Sequence, residues 1–210
     1  MRAYEFLLEN DTSEYTELIE LLKSKCQPYL AVLKQSHKQP LFRGIRGELS
    51  DLYAVVKPRV DRKPSDIPVE IHNALNHAFN EQFGFPYRNG IFCTGRMADA
   101  QDYGTAVVVF PVGELEYTWS SLSRDLFQTI NGDYDSRKYE RVTDPFPEHK
   151  QGEPDWVVNK EKVANLVSRY KTNMLPLAIQ SHNEVMLANE CILVSIETYK
   201  QIINSLMETK

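Results

Sequence analysis

Three polar residues stand at the thresholds of apolar runs: Arg43 in "LFRG", Thr94 in "IFCTG" and Glu184 in "NEVML". Arg43 carries a planar guanidinium donor fork and is followed by Gly44, Thr94 carries a hydroxyl between Cys93 and Gly95, and Glu184 carries a carboxylate directly after His182 and Asn183. Each has an ordinary reading as well: an arginine in a strand is usually a surface ion pair, a threonine before glycine a turn, and "HNE" a polar loop meeting a strand. Strand-end polar residues from three distant segments, taken together, are how clefts are furnished.

Other constellations offer less. Cys93 at a strand end, with His182 far away in sequence, is the material of a cysteine hydrolase, but no oxyanion hole is legible nearby and a small buried residue is the plainer reading. There is no GxGxxG, no P-loop and no HExxH. His72 and His77 are five apart on a predicted helix and read as partly exposed helix residues, so no metal site is expected. The basic stretch "KPRVDRKP" (Lys57, Arg59, Arg62, Lys63) reads as a solvated loop, with phosphate contact as the alternative.

Composition sets the frame. The chain has 210 residues, 42% hydrophobic and 25% charged, which suits one globular domain with a real core. A net charge of −5 leaves no footprint for bulk nucleic-acid binding, although a local basic patch stays open. Three scattered cysteines, Cys26, Cys93 and Cys191, argue against a disulfide framework and for a reducing compartment. The opening "MRAYEFLLENDTSEY" is too broken by acids for a secretory signal, and no window approaches the roughly 18 apolar residues of a membrane span. The expectation is a cytoplasmic protein.

Elements follow from periodicity. Tyr15, Leu18, Ile19, Leu22 and Cys26 predict a helix over 12–34, broken or kinked at Pro28. The polar "QSHKQP" marks the edge of an N-terminal helical segment, 1–38, ahead of a main domain, 39–210. Ile67, Ile71, Leu75, Phe79 and Phe83 predict a second helix that Gly84 ends. Strands are expected at "LFRGIRG", "DLYAVVKP", "IFCTG", "TAVVVFPVGE" and, at an edge, "LEYTWS"; "RMADAQDYG" reads as a short helix. "SLSRDLFQTI" reads as turn or helix, 131–155 as a long loop, and 159–170 as an amphipathic helix. "LPLAIQ", "NEVMLANE" and "CILVSI" read as closing strands before a terminal helix, "ETYKQIINSLME". This order lacks a regular βαβ rhythm, so the class is α+β.

The order of motifs resembles that of the mono-ADP-ribosyltransferase superfamily, found in bacterial toxins and bacteriophage enzymes. "LFRG", "IFCTGRMADAQDYGTAVVVFPV" and "NEVML" fall where that family has its strand arginine, its hydroxyl-bearing strand end with a short helix, and its catalytic glutamate. The resemblance spans roughly residues 40–200 and implies split mixed or antiparallel sheets with flanking helices. It implies NAD as the substrate that gives up ADP-ribose, Glu184 as the catalytic carboxylate, and Arg43, Gly44, Thr94 and Gly95 as NAD contacts. Tyr103 falls at the aromatic of the short helix and would offer a stacking face, whereas Phe92 reads as core. The implied setting is the cytoplasm, the host's for a bacteriophage protein, and the implied partners are NAD and a macromolecular acceptor, protein or nucleic acid.

The chain departs from the family at two places. Cys93-Thr94-Gly95 stands where the family commonly has Ser-Thr-Ser, which keeps one hydroxyl. His182 stands where arginine-modifying members carry Glu or Gln, so another acceptor or hydrolysis is expected, with His182 orienting the acceptor, acting as a base, or only capping the loop. An inactive member that keeps the fold as a binding or inhibitory protein is the second function class.

Overall fold

The structure is a computed structural model that describes residues 2–64, 67–126, 129 and 159–208. Among them are seven helices: α1 (Arg2–Lys25), α2 (Gln27–Gln35), α3 (Val69–Phe83), α4 (Met97–Gln101), α5 (Lys160–Val167), α6 (Leu175–Ser181) and α7 (Ile196–Met207). Seven strands, β1 (Leu41–Ile45), β2 (Tyr53–Val56), β3 (Ile91–Thr94), β4 (Thr105–Pro111), β5 (Tyr117–Trp119), β6 (Glu184–Leu187) and β7 (Cys191–Ser195), form one sheet in the order β2-β7-β4-β1-β3-β6-β5. Every pairing is antiparallel. The chain is thus α+β, and of the expected split mixed or antiparallel sheets the described residues form a single antiparallel one.

That sheet has a weak seam. β1 pairs with β4 along its whole length, Leu41 to Ile45, but meets β3 at a single pair, Phe42 opposite Thr94. The strands part beyond it, and the candidate site lies at this opening.

Two apolar clusters cover the sheet. The larger takes in Leu18, Leu22, Tyr29 and Leu33 from α1 and α2, Ile179 from α6 and Ile202 from α7, packed with Ile91, Cys93, Val185 and Leu187 of the sheet. The N-terminal helices from Leu18 to Leu33 therefore share the main core, and the buried Leu41 N–H donates to Tyr29 Oη at 2.7 Å, tying α2 to the start of β1. The smaller cluster packs Ile71, Leu75 and Phe79 of α3 and Val163 and Leu166 of α5 against Met186, with Phe92 at its margin. Side chains alternate along strands. Phe92 and Thr94 of β3, like Glu184 and Met186 of β6, accordingly turn away from the large core that holds Ile91, Cys93, Val185 and Leu187.

Local chemistry accounts for most boundaries. α1 and α2 meet at Cys26, and Pro28 sits in the first turn of α2, where its missing N–H costs no hydrogen bond. Gly84 ends α3 at φ +77°, a left-handed residue that glycine adopts without strain. The Asn159 and Ser195 side chains accept from Lys162 N–H and Thr198 N–H and cap α5 and α7.

One element corrects the sequence reading. "LPLAIQ" is the helix α6, not a strand: Leu175, Ala178 and Ile179 are its buried residues, at helical spacing, and Pro176 lies in its first turn. An apolar run this short fits either period, and the packing of Ile179 against β3 decides. The loop expected at 131–155 and residues 127, 128 and 130 of "SLSRDLFQTI" lie outside the described residues.

Candidate functional site

Glu184 opens β6 and faces Thr94 across the β3–β6 ladder. Its N–H donates to Arg124 O at 2.8 Å, and Leu126 N–H donates to its Oε1 at 3.4 Å, so the 124–126 segment holds it at both ends. α4 and the turn after it anchor that segment. Arg124 Nη2 lies 2.8 Å from Asp99 Oδ1, and Tyr103 Oη donates to Asp125 Oδ2 at 3.1 Å. Asn183 is buried and donates through Nδ2 to Ser120 O at 2.8 Å, which fixes the entry to β6.

Arg43 joins from β1. Continuing the register of Phe42 opposite Thr94 would set Gly44 against Phe92. No main-chain pair forms there; Arg43 Nη1 donates to Phe92 O at 3.3 Å instead. The side chain takes over where the ladder stops, which places a guanidinium in the opening one strand from Thr94 and two from Glu184. Arg43, Thr94 and Glu184 thus come from three adjacent strands at the seam.

The remaining sequence candidates have other structural duties. Thr94 Oγ1 donates to His182 O at 3.2 Å and accepts from Arg96 N–H at 3.2 Å, so the hydroxyl joins the end of β3 to the turn before β6. His182 ends α6 at φ 62°, a left-handed position, and its side chain is exposed. Gly44 packs against the end of α4: a Cβ there would lie 2.2 Å from Ala100 O and 2.8 Å from Tyr103 Cβ. Gly95 packs against α6, where a Cβ would lie 1.8 Å from Ile179 O. Both glycines are demanded by helix contacts, and the clearance they provide is taken by α4 and α6. Tyr103 is 65% exposed, with its hydroxyl on Asp125.

The charges around Glu184 set its chemistry. Burial and, after it, nearby Asp125 push its carboxyl up to about 8 against Arg88, the Leu126 N–H and Arg62, which work the other way. The group is half-buried, and the sign is that of a carboxyl at the edge of an apolar wall beside a second carboxylate. Arg62 and Arg88 both lie over the Phe92 ring, with guanidinium carbons 4.3 and 5.0 Å from its centroid. Burial, then Arg88 and Arg43, lowers Arg62 to about 10. Phe92, expected as plain core, is the aromatic floor beneath two cations.

Arg88 and Asp125 were not singled out in the sequence: "PYRNG" and "SRDLF" carry no motif, and only the fold brings them to Glu184. Arg62 belonged to the flagged basic stretch, yet it is half-buried on Phe92 and not a solvated loop residue. His72 is likewise buried, at 3% exposure, with Nε2 3.0 Å from Asn76 Nδ2; burial and Arg88 hold it below the usual histidine range. Cys93 is buried on the opposite face from Glu184, and burial pushes its thiol up to about 12, far from a nucleophilic thiolate. Among the described residues no group of three or more His, Cys, Asp or Glu could hold a metal ion, and no helix is long and apolar enough to cross a membrane.

No family model, no curated protein and no solved structure matches the chain. What the fold and the site define is a class by geometry: an α+β protein whose antiparallel sheet opens between β1 and β3 onto a half-buried carboxylate flanked by arginines.

Proposed function

We propose that the chain is an NAD-dependent ADP-ribosyltransferase acting in the cytoplasm. The observation that carries this reading is Glu184 opposite Thr94, two strands from the Arg43 guanidinium, beside the seam where β1 and β3 share a single pair. In this reading the bond between nicotinamide and ribose C1′ breaks, its electron pair leaves with nicotinamide, and positive charge spreads over C1′ and the ring oxygen. The ionised Glu184 carboxylate, close to a ribose hydroxyl, stabilises that charge. An acceptor nucleophile on a protein or nucleic acid, or water, then bonds to C1′ and gives up its proton. Arg43 grips a phosphate or ribose oxygen through its donor fork. The cationic nicotinamide favours the charged form of Glu184, which burial alone disfavours.

A specific observation favours a second reading, an inactive relative that binds. The only hydroxyl kept from the family's strand-end motif is engaged by His182 O and Arg96 N–H, and Tyr103 is engaged by Asp125. Nicotinamide release from NAD by the purified protein, with a thermal melt at saturating NAD, separates the two. Release supports the transferase; a raised melting temperature without release supports the binder; neither sinks both.

A further inference from the structure

The opening beside Glu184 gathers three arginines, of which Arg62 donates through Nη1 to Gly90 O at 3.3 Å. Arg62 comes from the segment after β2, Arg88 from the 3-10 helix Tyr87–Asn89, and Arg43 from β1. Two of them cover the Phe92 ring and the third donates to its carbonyl oxygen. Among the described residues none of the three makes an ion pair. Arg88 is 7% exposed, and its Nε has no hydrogen-bond partner among the described residues.

Buried charges in folded proteins are paired or bound, because an ion that is both desolvated and unpaired is strongly unfavourable. Glu184 does not answer three guanidiniums: it accepts from the Leu126 N–H, and burial and Asp125 hold it toward its neutral form. A water can satisfy a lone Nε but not the charge. Nor does Phe92 suffice, since a ring face attracts cations but accepts no strong hydrogen bond. What such an arrangement lacks is a compact anion with several acceptor oxygens.

We propose that Arg62 and Arg88, held over Phe92, form a binding subsite for a phosphate or pyrophosphate group next to Glu184. Planar guanidinium forks match phosphate oxygens in pairs, and contact with the ring restricts where the forks lie. The subsite stands on its own geometry. Its assignment to the pyrophosphate of a dinucleotide rests on the transferase reading, and there the two arginines set how far the scissile bond lies from Glu184.

The test is calorimetric titration of inorganic pyrophosphate into the full chain, as wild type, Arg62→Gln, Arg88→Gln and, as a control on an exposed arginine, Arg46→Gln. The expected result is binding by wild type and Arg46→Gln and a loss of about tenfold or more in each cleft variant, the usual effect of removing a charge-assisted hydrogen bond. Arg62 is half-buried, so its variant keeps the test open should Arg88→Gln fail to fold, which a melt without ligand reveals. No binding by wild type at millimolar pyrophosphate, or unchanged affinity in folded Arg62→Gln, overturns the subsite. ADP binding more tightly than pyrophosphate supports the nucleotide assignment; equal affinity removes it and leaves a phosphate subsite. Arginine-dependent pyrophosphate binding with no nicotinamide release from NAD sinks the transferase reading alone. Nicotinamide release with pyrophosphate affinity unmoved in Arg62→Gln sinks the subsite alone.

Discussion

Glu184 and Thr94 are direct partners across two antiparallel strands, and each is tied to the segment beside the other's strand end. The Glu184 carboxylate accepts from Leu126 N–H, in the segment that α4 holds, and the Thr94 hydroxyl donates to the carbonyl of His182, two residues before Glu184. The pair thereby locks β3, α4 and the entry to β6 into one unit. A carboxylate held on this frame loses little freedom when a substrate arrives, which is the condition for electrostatic stabilisation of a transition state.

Activity should rise with pH. In the free chain burial and Asp125 place the Glu184 carboxyl at about 8, and the proposed reaction needs the carboxylate. The kcat/KM for nicotinamide release is therefore expected to climb roughly tenfold per pH unit below that value and then level off. Asp125→Asn removes one negative neighbour and is expected to move the profile to lower pH. A profile that Asp125→Asn leaves unmoved contradicts the coupling between the two carboxylates.

The same shift links to stability. The folded chain binds the Glu184 proton more tightly than the unfolded chain, whose carboxyl titrates near 4.5. The stability that this proton contributes is fully present below that pH and is lost as pH rises through about 8. Glu184→Gln is neutral throughout, so it should match wild type at about pH 4 and melt higher than wild type at about pH 9. Equal melting temperatures at both pH values would show that the carboxyl is not held toward its neutral form.

Tyr29→Phe tests whether the N-terminal helices belong to the main core. It removes the acceptor of the buried Leu41 N–H without changing the ring, and an orphaned buried donor costs about 1–3 kcal/mol in urea unfolding. A single cooperative transition at lower midpoint is expected. A change below about 0.3 kcal/mol would mean that α2 does not anchor β1.

Gly95→Ala probes the contact between β3 and α6. A Cβ at that position meets the Ile179 backbone, which cannot swing aside as a side-chain tip would. Overpacking of this kind costs about 1–3 kcal/mol, and because α6 leads directly to His182 and Glu184, nicotinamide release should fall with it. Full activity and an unchanged melting temperature would contradict the packing role of this glycine.

Much of this frame is legible in the sequence, for identifiable reasons. The four-residue apolar repeat of α3 matches the helical period, with Gly84 marking its stop by a conformation that few residues adopt, and the β-branched run of β4 favours a strand. "LPLAIQ" misled because six residues hold too few repeats to separate a helix from a strand. At the site, Thr94 and Glu184 are visible because one ends a strand and the other opens one, whereas Arg43, expected at a strand end, is the third of five residues in β1. Arg88 and Asp125 are invisible there: one sits in a 3-10 turn and one in an irregular segment, and only sheet pairing and the packing of α4 carry them to Glu184. His72 looked exposed because a helix facing one core cluster gives no sign of a second polar contact behind it, here Asn76 and the Arg88 side.

The most direct measurement is nicotinamide release from NAD by wild type and Glu184→Gln, each with and without cell lysate as a source of acceptor. Release by wild type is expected, with a loss of about 10²-fold or more in Glu184→Gln and both proteins folded at the assay pH. Dependence on lysate then marks transfer to a macromolecule, and independence marks transfer to water. Release that persists undiminished in Glu184→Gln, or no release by wild type under either condition, contradicts the claim that this carboxylate does the chemistry.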